Sequence, residues 1–195
     1  MDYVIKNIRI AGTDEAGRGP LAGPVVASAV ILTSEQRALL VDNGLTDSKK
    51  LSAKKREVLF ALMQELGVVW AAQAASAKRI DGTNILRASL WCMGMATLKL
   101  SIKPDLLLLD GNKIIGNNFP IKQHCVIKGD SRVPVIAAAS IIAKVLRDRI
   151  MTIYDKMYPL YQFEKHKGYP TKLHYELIRK YGASPIHRLS YKGVL

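Results

Sequence analysis

The chain has 195 residues, 49% of them apolar, which suits one α/β domain with a substantial core. Its 29 Lys plus Arg outnumber 16 Asp plus Glu and leave a net charge of +13. That balance is too lopsided for an ordinary small-molecule enzyme and fits a polyanionic partner such as nucleic acid. No apolar run approaches the ~20 residues of a membrane-spanning helix, and Met1-Asp2-Tyr3-Val4-Ile5-Lys6 lacks a signal-peptide pattern.

In chain order, Val4–Thr13 and Val25–Leu32 read as strands joined by a glycine- and proline-rich, hairpin-like connection. Helices follow over Ser34–Val41 and Ser52–Leu66, each opened by a serine suited to capping free amides. Val68–Ala75 reads as a third strand. Asn84 caps a longer helix through Leu100, whose Ile85, Leu86, Leu90, Met93 and Thr97 fall at helical spacing. Two short strands, Asp105–Leu109 and Cys125–Ile127, end in Asp110-Gly111-Asn112 and Lys128-Gly129-Asp130. Beyond Pro134 a strongly helical segment covers Ala137–Ile153. Thr171–Tyr181 is a last helix, stopped by Gly182. Cys92 and Cys125 read as buried free thiols of a cytosolic protein.

Three acidic clusters, Asp14-Glu15, Asp110 and Asp130, each follow a predicted strand. Strand ends in an α/β sheet gather polar groups from distant positions around one crevice. Asp110 and Asp130, taken singly, are ordinary turn acids; their shared position beside Asp14-Glu15 favours a metal site. Phosphodiester hydrolysis by two Mg²⁺ ions about 4 Å apart requires clustered carboxylates of this kind. Without metal, such close like charges raise one another's pKa values.

Gly17-Arg18-Gly19 permits close backbone approach, so its amides suit a phosphate or a sugar hydroxyl. Asp47-Ser48-Lys49-Lys50-Leu51 precedes a helix whose first turn is basic, against the helix dipole; phosphate contact by Lys49 or Lys50 would offset that cost. Ser140, Lys144 and Asp148 form one polar stripe, with Lys144–Asp148 read as a local ion pair. Tyr169, between glycine and proline, can stack on a sugar or base or simply pack in its loop. His166 and His187 read as surface or phosphate-contacting groups more readily than as proton shuttles. No Cys/His spacing supports zinc, and no Walker-type loop supports nucleotide hydrolysis.

At these residues the chain closely resembles the bacterial ribonuclease HII family. The resemblance rests on Asp14-Glu15-Ala16-Gly17-Arg18-Gly19-Pro20, Asp47-Ser48-Lys49-Lys50-Leu51, Leu109-Asp110-Gly111-Asn112 and Lys128-Gly129-Asp130-Ser131. It continues through Ala138-Ala139-Ser140-Ile141-Ile142-Ala143-Lys144-Val145, His166-Lys167-Gly168-Tyr169-Pro170-Thr171 and Pro185-Ile186-His187-Arg188-Leu189-Ser190, and so covers nearly the whole chain in order. It implies a ribonuclease H-like five-stranded mixed sheet flanked by helices, with a helical C-terminal portion, in a single domain over residues 1–195. It also implies cutting of RNA in RNA–DNA hybrids and 5′ of single ribonucleotides embedded in duplex DNA, leaving 3′-hydroxyl and 5′-phosphate ends.

By the same resemblance Asp14, Glu15, Asp110 and Asp130 are the catalytic acids holding Mg²⁺ or Mn²⁺, two ions during catalysis. Gly17, Arg18, Gly19 and Tyr169 read the ribose 2′-hydroxyl, the group that separates RNA from DNA. Lys49, Ser140 and Lys144 line the nucleic-acid groove. Tyr191 stands where phenylalanine is common in the family. The first strand begins almost at the N-terminus, which leaves no room for an added substrate-binding domain. The expected protein is a cytoplasmic monomer. A related metal-dependent nuclease or integrase with another substrate, and a non-catalytic hybrid-binding protein, are the competing readings. The four acids weigh against the second, since a pure binder gains nothing from carboxylates facing phosphate.

Overall fold

A computed structural model describes residues 8–195. Strands β1 (Ile10–Ala16) and β2 (Val25–Ile31) come first. Helices α1 (Ser34–Asp42) and α2 (Ala53–Glu65) precede β3 (Val69–Ala75), α3 (Ala77–Gly82) and α4 (Ile85–Leu98). Strands β4 (Leu106–Asp110) and β5 (Lys122–Val126) complete one sheet, and α5 (Pro134–Met157), α6 (Phe163–His166) and α7 (Lys172–Tyr181) make the C-terminal portion helical. The sheet order is β3-β2-β1-β4-β5. The first three strands pair antiparallel, whereas β1–β4 and β4–β5 are parallel. This is the expected mixed five-stranded sheet between helices.

Strand alternation divides the core. Ala11, Val25, Ala27, Ala29, Leu107 and Leu109 pack with Cys92, Met93 and Ala96 of α4. On the opposite face Val30 joins Leu40, Leu59, Phe60 and Met63 of α1 and α2, together with Ala138, Ile141 and Ile142 of α5. The α5 backbone lies directly on β1. A Cβ on Gly12 would stand 2.6 Å from the Val135 carbonyl carbon, so only glycine allows this approach two residues before Asp14.

Several boundaries differ from expectation. The predicted strand Val4–Thr13 starts outside the described residues, and β1 instead continues through Ala16, because Asp14, Glu15 and Ala16 pair with Ser28, Ala27 and Val26. Asp14 and Glu15 therefore lie within a strand, not after it. Thr33 rather than Ser34 caps α1, through a capping box with Gln36. The cap at Ser52 and that at Asn84 are as expected, accepting from the Lys55 and Arg87 amides. Helix α5 begins at Pro134, whose missing N–H costs nothing in a first turn. Gly182 ends α7 with φ +75°. Both cysteines are free, but Cys125 is only half-buried. Among the described residues, no helix is long and apolar enough to cross a membrane.

Candidate metal centre and the loop beside it

Parallel pairing of β1 with β4 places Thr13 opposite Leu109, so the next residues, Asp14 within β1 and Asp110 at the end of β4, lie side by side. Asp110 also faces Val126 at the end of β5. Lys128, with φ 55°, then turns the chain into a 3₁₀ turn over Gly129–Ser131 that carries Asp130. The Gly129 amide donates to Asp110 Oδ1 at 2.7 Å. A Cβ on Gly129 would meet Ile136 Cδ1 at 2.6 Å, so a larger residue there would have to displace that side chain. As a result, carboxylate oxygens of Asp14, Asp110 and Asp130 lie within 4.8 Å of one another.

Asp14 and Asp130 are only 4% and 6% exposed. Burial first, and then the charges of Glu15 and Asp110, push the Asp14 carboxyl well above its ordinary range; Ser140 and the Glu15 amide oppose this. Burial and the neighbouring Asp130 raise Asp110 as well. Lys49 Nζ approaches Asp130 at 3.4 Å on a side chain that is 79% exposed. Burial works against its charge, but Asp130, Asp14 and Asp47 together hold the ammonium above the usual lysine range. An all-carboxylate donor set of three converging aspartates, with a flexible cation leaning in, fits a hard divalent ion such as Mg²⁺ or Mn²⁺.

Glu15 is the fourth predicted acid and is not within that close triad. Adjacent strand residues point to opposite faces, and Glu15 lines a cleft of about 150 Å³ on the α4 side with Arg18, Ser89, Asp110 and Asn112. Burial raises its carboxyl while Arg18, 3.3 Å away, opposes the shift. Asp110 borders both the triad and this cleft.

Ser140 is 3% exposed and shares a 2.8 Å hydrogen bond with the Ser48 hydroxyl. It sits beneath Asp14 as a support and does not form an open groove surface. One helical turn on, Lys144 donates to Asp148 at 2.6 Å, as the spacing predicted, and lies 5.6 Å from the centre of the Tyr169 ring. Tyr169 remains 37% exposed. A single helix thus carries the prop of the acids on one turn and the neighbour of Tyr169 on the next.

The connection over residues 17–24 is held from beneath by two fully buried arginines. Arg147 donates to the carbonyls of Pro24, Ala22 and Lys167 at 3.0, 3.2 and 3.1 Å. Arg188 donates to those of Gly17, Arg18 and Gly23 at 2.6, 2.9 and 3.0 Å. The Tyr191 hydroxyl adds a 2.7 Å bond to Arg18 O, a contact unavailable to phenylalanine. With these carbonyls tied inward, Arg18 stays on the surface beside Glu15, and a Cβ at Gly19 would meet nothing within 4 Å.

Sequence reasoning assigned no role to Arg147 or Arg188. A signal existed for Arg147, which continues the i, i+4 line of Ala139, Ala143 and Met151 on the buried face of α5. Arg56, read as part of a basic helix start, donates to the Ser48 and Leu51 carbonyls at 2.9 and 2.6 Å. His166 and His187, expected at the surface, are buried.

The family model described as ribonuclease HII matches residues 11–194. A ribonuclease HII of Marinomonas sp. (strain MWYL1) is 53% identical over 185 residues, covering 95% of this chain and 90% of that protein. The crystal structure of ribonuclease H2 from Pyrococcus horikoshii OT3 matches with a TM-score of 0.80 at 29% identity, over 96% of this chain and 95% of that one. Bst-RNase HIII, solved in complex with Mn²⁺, matches with a TM-score of 0.79 over 98% of this chain and 70% of its own. At 19% identity, that last likeness concerns the fold alone.

Proposed function

The chain belongs to the ribonuclease HII family and is a ribonuclease H acting on RNA–DNA hybrids, and on that premise we propose that it also cuts duplex DNA 5′ of a single embedded ribonucleotide. The observation that carries the proposal is the adjacency of three converging carboxylates to the loop at residues 17–19, in which Gly17 is buried and Arg18 and Gly19 are exposed. Asp14, Asp110 and Asp130 would hold the metal, with Glu15 as a fourth carboxylate across the cleft it shares with Asp110. Bound divalent ions, two during catalysis and either Mg²⁺ or Mn²⁺, would make a water nucleophilic at neutral pH and stabilise the departing oxygen.

The protein's own groups do the selecting and orienting. The amides of Gly17 and Gly19 and the Tyr169 ring address the ribose 2′-hydroxyl. Lys49, beside Asp130, and Lys144, beside Tyr169, contact backbone phosphates in this reading, and Ser140 steadies Asp14. Water adds to phosphorus in line with the upstream 3′-oxygen. The P–O3′ bond breaks and that oxygen takes up a proton, so the products end in a 3′-hydroxyl and a 5′-phosphate on the ribonucleotide. No covalent enzyme intermediate is required. The reading includes a monomer working in the cytoplasm.

Tyr169→Ala tests the sugar check. Rates are compared on a duplex with one ribonucleotide and on a hybrid with a continuous RNA strand. The variant should lose at least ~10-fold in kcat/KM on the single-ribonucleotide substrate, within the range of one stacking contact, with a smaller loss on the hybrid. Equal losses on both would favour a metal nuclease with another basis of selection.

A further inference from the structure

Three of the chain's four histidines form one buried cluster, His174 and His187 joined by a hydrogen bond and His166 stacked on His174, and their partners dictate their tautomers. The Tyr169 carbonyl can only accept, so His174 Nδ1, 3.0 Å away, carries a hydrogen. Burial pushes the His174 pKa down to about 4, which keeps the ring neutral and leaves its Nε2 as an acceptor. His187 Nε2, at 3.0 Å, therefore donates to it. His187 Nδ1 in turn accepts from the Ser184 amide and hydroxyl at 2.9 and 2.7 Å. His166 stacks on His174 with centroids 4.3 Å apart. Its Nε2 donates to Tyr161 O at 2.9 Å and its Nδ1 accepts from the Gly168 amide at 3.1 Å.

This cluster ends on the turn that carries Tyr169. The Tyr169 amide donates to His166 O and the Leu21 amide donates to Gly168 O, each at 2.8 Å. Gly168, at φ +80°, approaches so closely that a Cβ would stand 2.6 Å from Ala22 O. The segment around His187 grips the same loop from the other side: Gly23 N donates to Ile186 O, and Arg188 N to Leu21 O, both at 2.8 Å. Tyr161 and Phe163 close the network with aromatic contacts to His187 and His174.

Taking Tyr169 and residues 17–19 as the reader of the ribose hydroxyl, as proposed above, we infer that His174 and His187 are positioning residues for sugar recognition. Their hydrogen-bonded pair fixes the Tyr169 turn against the loop at residues 17–24. Neither touches substrate; each acts through Tyr169. A merely structural role would lower stability without altering the choice between substrates.

The test measures kcat/KM on the single-ribonucleotide duplex and on the continuous hybrid for wild type, His174→Phe, His174→Asn, Tyr169→Ala and the Tyr169→Ala/His174→Phe double variant, with melting temperatures alongside. His174→Phe keeps the ring volume but removes the donor. It should lower the single-ribonucleotide preference on the order of 10-fold, as a misplaced positioning group does. His174→Asn can still donate to Tyr169 O and should stay within about 3-fold of wild type. In the Tyr169→Ala background, His174→Phe should change the preference by less than about 2-fold, since its route of action is gone.

An independent, multiplicative loss in that background would overturn the inference. So would an unchanged preference in a His174→Phe protein that merely melts lower. If Tyr169→Ala itself leaves the preference intact, the sugar-check reading fails and this inference with it. A loss for Tyr169→Ala alone would leave that reading standing and defeat only the histidine role. Should His174→Phe not fold, His187→Asn replaces it. Its amide oxygen can accept from Ser184 but its side chain is too short to reach His174, so, like His174→Asn, it breaks the pair while the donor to Tyr169 O remains, and a loss of about 3-fold is expected.

Discussion

Asp14→Asn should abolish Mg²⁺-dependent cutting, by roughly 10³-fold or more (about 4 kcal/mol of barrier), and at the same time raise the melting temperature of the metal-free protein. The two effects have one cause. Asp14 is buried beside Glu15 and Asp110, and its carboxyl is raised well above its ordinary range. A folded-state pKa above the unfolded value means that the native state holds the proton more tightly. The corresponding stability is complete below the unfolded pKa and is lost as pH rises through the raised folded value. As pH rises through that value the metal-free protein takes on the cost of a buried charge beside Glu15 and Asp110, which Asn avoids; each kcal/mol relieved is worth about 2–4 °C in a chain of this size. Divalent metal should stabilise the wild type by binding only its native state, and should do so far less in the variant. Melting curves in chelator from pH 5 to 8, with and without Mg²⁺, read both. A variant that melts below wild type in chelator would contradict the electrostatic account.

Gly17→Ala should be the most damaging single methyl in the loop. Gly17 has φ +100°, and a Cβ there would lie 2.5 Å from Arg147 Cδ and 2.8 Å from Pro24 O. Arg147 cannot retreat without giving up its three carbonyl bonds. The expected loss is about 1–3 kcal/mol of stability from overpacking, with a fall of roughly 10²-fold in cutting as the loop shifts from the acids. Gly19→Ala is the control: its Cβ has open space, so folding should be unaffected and any loss confined to substrate approach. Denaturant unfolding and steady-state kinetics on both variants separate the two. Equal stability losses would show that the Arg147 contact does not set the loop.

Much of this arrangement is legible in the chain. Alternating apolar residues and turn residues mark the strands, and acids at their ends imply convergence. What the pattern misplaces is the end of β1. Asp14 and Glu15 look like loop residues, but the antiparallel ladder with β2 extends the strand through Ala16. That extension sends the two acids to opposite faces, so Glu15 is separated from the close triad although it is Asp14's neighbour in sequence.

The buried cations are the other hidden feature. Arginines are read as solvated by default, and the need for Arg147 and Arg188 arises only once residues 17–24 fold into a loop whose inward carbonyls lack strand partners. The histidines are obscured for the same reason. Spacing alone cannot reveal that residues 166, 174 and 187 meet, because tertiary packing of α6, α7 and the C-terminal segment brings them together. The lysine–aspartate pair at residues 144 and 148 was legible because helical spacing alone determines it.

In the proposed reaction one short stretch joins the cutting acids to a check for a ribose hydroxyl. That link is tested most directly by incubating the protein with Mg²⁺ and two otherwise identical duplexes, one all-DNA and one carrying a single ribonucleotide. One incision is expected, on the 5′ side of the ribonucleotide, abolished by chelator, with the all-DNA duplex intact. Equal cutting of both duplexes, or of neither, would contradict it.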